Sequence, residues 1–350
     1  VGNWAVVTVA LVAILVVLFS LAIVDSRMLP ASPWRRSVLV SFACAGSGVV
    51  SWLVLAPLLT PEVVGPLFLP VAALGGLSAY LATIAVRALG GGIAPSIVFG
   101  LAWSLVVFVP VAILVFAPYA ATWPLGIEPV DHGGSLVVNI APGAAALAVL
   151  AAGGGRLRTA TIRVTTATAA MLTLSIGWLA WLVSAEFAID EVIVVILVNG
   201  LVGSSAGVVG WIVVQRIRHQ STTLNAVAGG LISGLVAVTA GAPLFTPVSA
   251  FAAGVFAGAI ACIFTLSRVA ASRRPQWFVV SSHLIAGGVG IVVLGLLAND
   301  SGFVFTGSIA LILNQVVATA LVAFYSAVVS VLLWLPLRRL SSTKILAGRA

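Results

Sequence analysis

The sequence predicts an all-α polytopic membrane protein: eleven transmembrane helices, N-terminus outside and C-terminus inside. Three observations predict it. Apolar types make up 62% of the 350 residues and charged types only 7%, against about 25% charged in an ordinary soluble domain. So few charges cannot cover a water-facing surface. The apolar residues fall in continuous runs near the ~20 residues that one span needs, without the alternation of barrel strands. The charges lie between the runs and are sorted by sign. The same composition excludes a disordered chain. The net charge of +8 is explained by where the charges sit, and no nucleic-acid partner is expected.

Each run is bounded by its flanking charges. Trp4–Val24 ends at Asp25 and Arg27, and Ser37–Leu59 starts after Arg35 and Arg36 and ends before Glu62. Leu67–Val86 stops at Arg87, and Pro95–Phe116 precedes the acidic Glu128 and Asp131. Ser135–Gly154 runs from Asp131 to Arg156 and Arg158, and Val164–Ala185 from Arg163 to Glu186. Val192–Val214 lies between Glu191 and Arg216, and Leu224–Leu244 follows Arg218. Ser249–Ser267 stops at Arg268, and Trp277–Ala298 runs from Arg273 and Arg274 to Asp300. Phe303–Leu335 precedes a short basic tail, 336–350, with Arg338, Arg339, Lys344 and Arg349. Its length implies tilt or extension past the bilayer.

All 16 basic residues fall in the odd connectors and the tail, whereas the even connectors are acidic and hold no Lys or Arg. Short Lys/Arg-rich loops stay cytoplasmic, which sets the orientation and demands an odd number of spans. A multi-pass protein of the plasma membrane, a bacterial inner membrane, is the expected setting. Val1–Trp4 carry no basic n-region, so a cleaved signal peptide is not visible here, and one removed earlier would leave no trace.

No Asp, Glu, Lys or Arg lies inside a run. This argues against voltage sensing, carboxylate proton pumping and acidic intramembrane proteolysis. No nucleophile–base pair, phosphate loop or metal cluster is visible, so neither enzyme chemistry nor a cofactor is expected. Cys44 and Cys262 lie in apolar runs and read as buried packing residues. His132 and His219 lie in loops and read as solvated surface histidines.

Two polar side chains stand out by depth. Asn139 follows the outer Asp131 by 8 residues, and His283 follows the inner Arg274 by 9. At about 1.5 Å per residue, they lie about 12 and about 13.5 Å from opposite surfaces of a core of about 30 Å. Helices entering from opposite sides with midplane polar groups are what an inverted repeat gives. An intramembrane histidine is a functional-site hypothesis by default. The other reading is an interhelical hydrogen bond that fixes packing. Pro142, one turn past Asn139, cannot donate to the Val138 carbonyl, which leaves that carbonyl for a pore or for a kink.

The segment Asp131-His132-Gly133-Gly134-Ser135-Leu136-Val137-Val138-Asn139 resembles the fifth helix of the ammonium transporter and Rhesus family, D-F-A-G-G-x-V-V-H. His283-Leu284-Ile285-Ala286-Gly287-Gly288-Val289-Gly290 is similar to that family's tenth helix, H-G-V-x-G-x-x-G. Trp103, Phe108–Ala112, Ile176-Gly177-Trp178, Gly234–Thr239, Gln315 and Ser326–Val329 also fit, in order along nearly the whole chain. The resemblance implies a homotrimer with one hydrophobic pore per subunit and a single membrane domain over 1–350. Two inverted five-helix halves, 1–160 and 161–300, are followed by a last helix over 303–335. It also implies ammonium recruitment at an outer vestibule above an aromatic constriction. His283 matches the second pore histidine, Asp131 the aspartate bracing the outer mouth, and Thr239 the threonine of a T-P motif. Phe116 falls where the family has a vestibule tryptophan, and Trp181 where it has a gate phenylalanine.

The departures are specific. Asn139 replaces the first pore histidine, and the second gate phenylalanine falls near Ala72 or Ala73. Arg273, Arg274 and Pro275 replace acidic residues before the tenth helix, and Val24–Met28 replaces F-Y-G-G-L. An uncharged pore favours ammonia over the ion, and asparagine cannot relay a proton. The expectation is therefore passage of ammonia with weak or absent net current. Two alternatives are a non-conducting relative that binds ammonium and a channel for another neutral molecule such as carbon dioxide. The basic cytoplasmic face would suit an acidic regulator.

Overall fold

The structure is a computed structural model that describes residues 4–25, 34–89, 91–117, 122–153, 164–267 and 277–347. Its helices are α1 (Trp4–Asp25), α2 (Trp34–Leu59), α3 (Phe68–Ala88), α4 (Ile93–Phe116), α5 (Leu136–Ala152) and α6 (Val164–Ser184). After them come α7 (Val192–Ile217), α8 (Leu224–Thr239), α9 (Pro247–Thr265), α10 (Trp277–Leu297) and α11 (Ala310–Ala347). Among the described residues there is no strand, only an isolated bridge between Phe245 and Ala298. Eight helices are long and apolar enough to cross a membrane, and α5, α6 and α8 contribute shorter apolar stretches.

The outward faces are as apolar as the core. On α1, Val9, Val12, Leu15 and Phe19 are exposed, whereas Ala10, Ala13, Ile14, Val17 and Leu21 are buried. Both sets recur at helical spacing, so α1 is a helix apolar all round, with one apolar stripe buried and one exposed. Ile176, Phe324 and Leu332 continue this surface on α6 and α11.

The core is built on backbone contact. α7 carries Gly203, Gly207 and Gly210 one turn apart, and a Cβ at Gly207 would collide with the Gly230 carbonyl of α8. A Cβ at Gly258 of α9 would collide with the Gly207 carbonyl. α7 is thus held between α8 and α9 at a separation that only glycine permits. α1 lies along α6, α2 along α3, and α11 crosses α5.

Two boundaries differ from the sequence reading. The run over 303–335 is broken: a short helix, Phe303–Thr306, ends at Gly307 with φ 71°, and α11 starts at Ala310. Gly307 supplies the left-handed conformation that stops a helix. α11 then continues through Pro336 to Ala347, so most of the expected tail is helical. Arg87 also lies inside the last turn of α3, buried, with its guanidinium donating to Ser41 Oγ of α2 at 2.9 Å. Arg27, Arg156, Arg158, Arg163, Arg268, Arg273, Arg274 and Arg349 lie outside the described residues.

Candidate functional site

The outer end is organised by the segment 130–136. Both Asp131 carboxylate oxygens accept backbone N–H groups at the start of α5: Ser135 to Oδ1 at 2.6 Å and Leu136 to Oδ2 at 2.8 Å. A helix N-terminus presents such unpaired N–H groups and favours an anion. Burial acts the other way and pushes the Asp131 carboxyl up to about 7. The N–H groups of His132 and Gly133 donate to the carbonyls of Ala240 and Thr239, just beyond and at the end of α8. Gln315 of α11 both accepts from the Val130 N–H and donates to its carbonyl, at 2.9 and 2.8 Å. Gly134 holds φ 72°, and a Cβ there would press on the Phe116 ring at 2.7 Å. Only glycine takes this backbone without strain at such close range.

This clamped segment forms one wall of a cleft of about 190 Å³, lined by Phe116, Trp181, Val71, Leu74, His132 and Phe187 among others. Phe116 and Trp181 therefore meet at one cavity. Ala72 is buried. Its neighbours on α3, the aliphatic Val71 and Leu74, line the wall.

Beneath the cleft the aromatic rings descend in sequence. Trp181 meets Trp178 with centroids 5.4 Å apart, and Trp178 meets His283 at 6.5 Å. The Trp178 indole N–H donates to Thr239 Oγ1 at 3.1 Å, and that hydroxyl donates to the Leu235 carbonyl at 2.7 Å. Thr239 thus orients Trp178 over the histidine.

Asn139 and His283 each sit in a π-helical turn, Leu136–Ile140 in α5 and Val280–Ile285 in α10. The two turns touch. One turn beyond His283, a Cβ at Gly287 would lie 3.4 Å from the Asn139 Cβ. Asn139 is 0% and His283 1% exposed, so a solute crossing this level must displace side chains.

The hydrogen bonds assign the histidine tautomer. The single Ser282 hydroxyl hydrogen goes to the Phe278 carbonyl at 2.7 Å. Ser282 Oγ, 2.9 Å from His283 Nδ1, is therefore the acceptor there, and Nδ1 carries the ring proton. Nε2 is left as an acceptor, buried and without a partner. Asn139 Nδ2 donates to Ser135 Oγ at 3.0 Å, and its Oδ1 is likewise buried without a partner. Asn199 Oδ1 and Gln215 Oε1 are also unpartnered, but neither sits in these touching turns.

The structure thus brings Asn139, His283, Trp178, Trp181, Thr239 and Phe116 into one column, with Asp131 bracing its outer end. Reading the sequence missed Ser282 and Ser135, which set the orientation of the two polar groups. Their places, next to His283 and one turn before Asn139, were the available signal. His132, expected to be solvated, instead lines the cleft with Nε2 3.1 Å from the Leu182 carbonyl. Burial holds its pKa below the ordinary histidine value. Glu186, 3.9 Å from His132 Nδ1, is pushed upward, first by burial and then by Asp190. His219 is exposed, as expected.

The chain has relatives among known proteins. A model of the Ammonium Transporter Family matches residues 76–345. The chain is 29% identical over 261 residues to an ammonium transporter of Bacillus subtilis, covering 69% of this chain and 63% of that protein. It is 27% identical over 286 residues to one of Mycobacterium tuberculosis, covering 73% and 60%. The matched regions span about three-fifths of the length of these curated relatives. Among solved structures, one titled "Sensor Amt Protein" superposes with a TM-score of 0.84 at 16% identity, covering 97% of this chain and 93% of that one. Saccharomyces cerevisiae Mep2 gives 0.76 at 17%, covering 95% and 87%. These likenesses show a shared fold. With its apolar helices and bacterial relatives, the chain is a multi-pass protein of the plasma membrane. It belongs to the ammonium transporter family.

Proposed function

We propose that the protein passes ammonia, delivered as ammonium at the outer cleft, through the column that runs from Trp181 to His283. α1 to α11 then all span the bilayer, N-terminus outside, as two inverted five-helix halves plus α11, and three copies assemble as the family resemblance implies. The observation that carries the reading is the pair of unpartnered acceptors, His283 Nε2 and Asn139 Oδ1, buried in touching helical turns beneath an aromatic cleft. A buried acceptor without a donor costs about 1–3 kcal/mol. A solute that brings N–H donors removes that cost in passing. Ammonia has three such donors and no charge to desolvate. Carbon dioxide has none, so the acceptor lining disfavours it. The ion itself faces a large desolvation cost in this uncharged interior.

The burial of both side chains favours one second reading, a cleft that binds ammonium above a closed column. Proteoliposomes separate the two. The wild type is expected to take up methylammonium with little net current, and His283→Ala to lower uptake at least tenfold. Uptake no faster than in empty liposomes, gained only in Asn139→His, would leave the binding reading. A robust His283-dependent current would sink the neutral-solute part.

A further inference from the structure

The wall of the outer cleft holds His132, at which this chain departs from the pattern D-F-A-G-G, with Glu186 beside it. His132 Nε2 lies 3.1 Å from the Leu182 carbonyl. A carbonyl oxygen only accepts, so Nε2 carries the proton and the neutral ring presents a bare lone pair at Nδ1. That Nδ1 stands 3.9 Å from Glu186 Oε2, beyond hydrogen-bond reach. Two acceptors therefore stand close together beside the cleft. Both are partly open to solvent, His132 at 11% and Glu186 at 23%, and Trp181 and Phe116 line the cavity with His132.

We propose that His132 Nδ1 and the Glu186 carboxylate form an acceptor pair that binds a small N–H-donating cation, ammonium or an alkylammonium. A proton on His132 competes with that cation. The inference rests on the reading that ammonium enters through this cleft and adds the regulation of that entry. An ammonium ion donates one N–H to each acceptor and offers its charge to the aromatic faces. Protonation of Nδ1 turns it into a donor toward Glu186, which satisfies the pair internally and places a positive charge where the cation would sit.

The charged neighbours are few. The α6–α7 connector brings Glu186, Asp190 and Glu191. The His132 segment brings Asp131, whose oxygens are turned to the start of α5. The parts of α1, α3, α6 and α8 around the cleft carry no titratable side chain. Burial keeps His132 neutral near pH 7, so the pair is open there and closes in acid.

The test is ammonium and methylammonium binding to the full-length purified protein, read by tryptophan fluorescence with Trp181→Phe as the control for the cleft signal. Wild-type affinity is expected to weaken at least fivefold from pH 7.5 to 4.5. His132→Gln, whose amide can still donate to Leu182 but does not titrate in this range, is expected to lose clearly less affinity across it than the wild type, keeping only the part that the carboxyls of Asp131 and Glu186 contribute. Glu186→Gln is expected to bind at least fivefold more weakly at pH 7.5, and tetramethylammonium, which has no N–H, is expected not to compete. An unchanged acid loss in His132→Gln, wild-type affinity in Glu186→Gln, or competition by tetramethylammonium would each overturn the pair. Methylammonium flux, measured in parallel, keeps the two readings apart. Binding of this kind without flux sinks transport alone, and flux with pH-insensitive binding sinks the pair alone.

Discussion

Asp131 meets two opposing demands on a carboxylate. The N–H groups of Ser135 and Leu136 stabilise its charge, and burial penalises it more, which leaves it up to about 7. The native state therefore holds this proton more tightly than the unfolded chain, whose carboxyl titrates near 3.8. Stability from this group is fully present below that lower value and is lost as pH rises through about 7. Melting of the detergent-solubilised protein should thus shift upward between pH 7.5 and 5.5, and Asp131→Asn should flatten that dependence. Asp131→Ala leaves two helix-start N–H groups without an acceptor and should cost about 1–3 kcal/mol, read in the same melts. At this scale the sequence showed which residues carry polarity at depth, Asn139 and His283. It did not show the direction of their hydrogen bonds, because Ser282 and Ser135 decide that only once a helix sets them beside His283 and Asn139. Nor did it show that His132 faces a cavity, because a loop residue's burial depends on what packs over the loop.

The helical elements are where pattern reading succeeded best and also where it missed most. Runs and helices agree to within a few residues except at Gly307 and in the tail, where a helix-stopping conformation and a proline tolerated inside α11 moved the limits. The π-helical turns were not foreseen. Two of them, Ser104–Phe108 and Leu136–Ile140, lie just before Pro110 and Pro142. A proline lacks the N–H that would bond four residues back and its ring crowds that carbonyl, which favours a widened turn. The Tyr325 hydroxyl takes up the Val106 carbonyl that Pro110 leaves, at 2.6 Å. The turn at His283 has no such proline. Because π-bulges re-aim side chains and recur at functional sites, Pro142→Ala should let α5 regain regular geometry around Asn139. Its melting temperature should hold or rise while methylammonium uptake falls at least threefold. Equal uptake would separate the bulge from function.

At the scale of the molecule, the backbone contacts of α7 with α8 and α9 make a rigid block against which the column is set. Gly207→Val places a side chain where the Gly230 carbonyl and Gly234 stand, and should reduce recovery of monodisperse protein at least tenfold on size exclusion. Gly46→Ala, which meets nothing within 4 Å, should be recovered as the wild type is. By itself the sequence determined a helical membrane protein, its segments and its family, because hydrocarbon forces continuous apolar runs and expels charge to their ends, and both are visible residue by residue. Only the tertiary structure decided which apolar face is buried and which is exposed, since protein interior and hydrocarbon select the same residue types. It alone also decided that the polar groups of α5 and α10 meet in touching turns, and that His132 lines the cleft beside Glu186. Those meetings depend on helix rotation and crossing distance, which glycine contacts and bulges set among residues far apart along the chain.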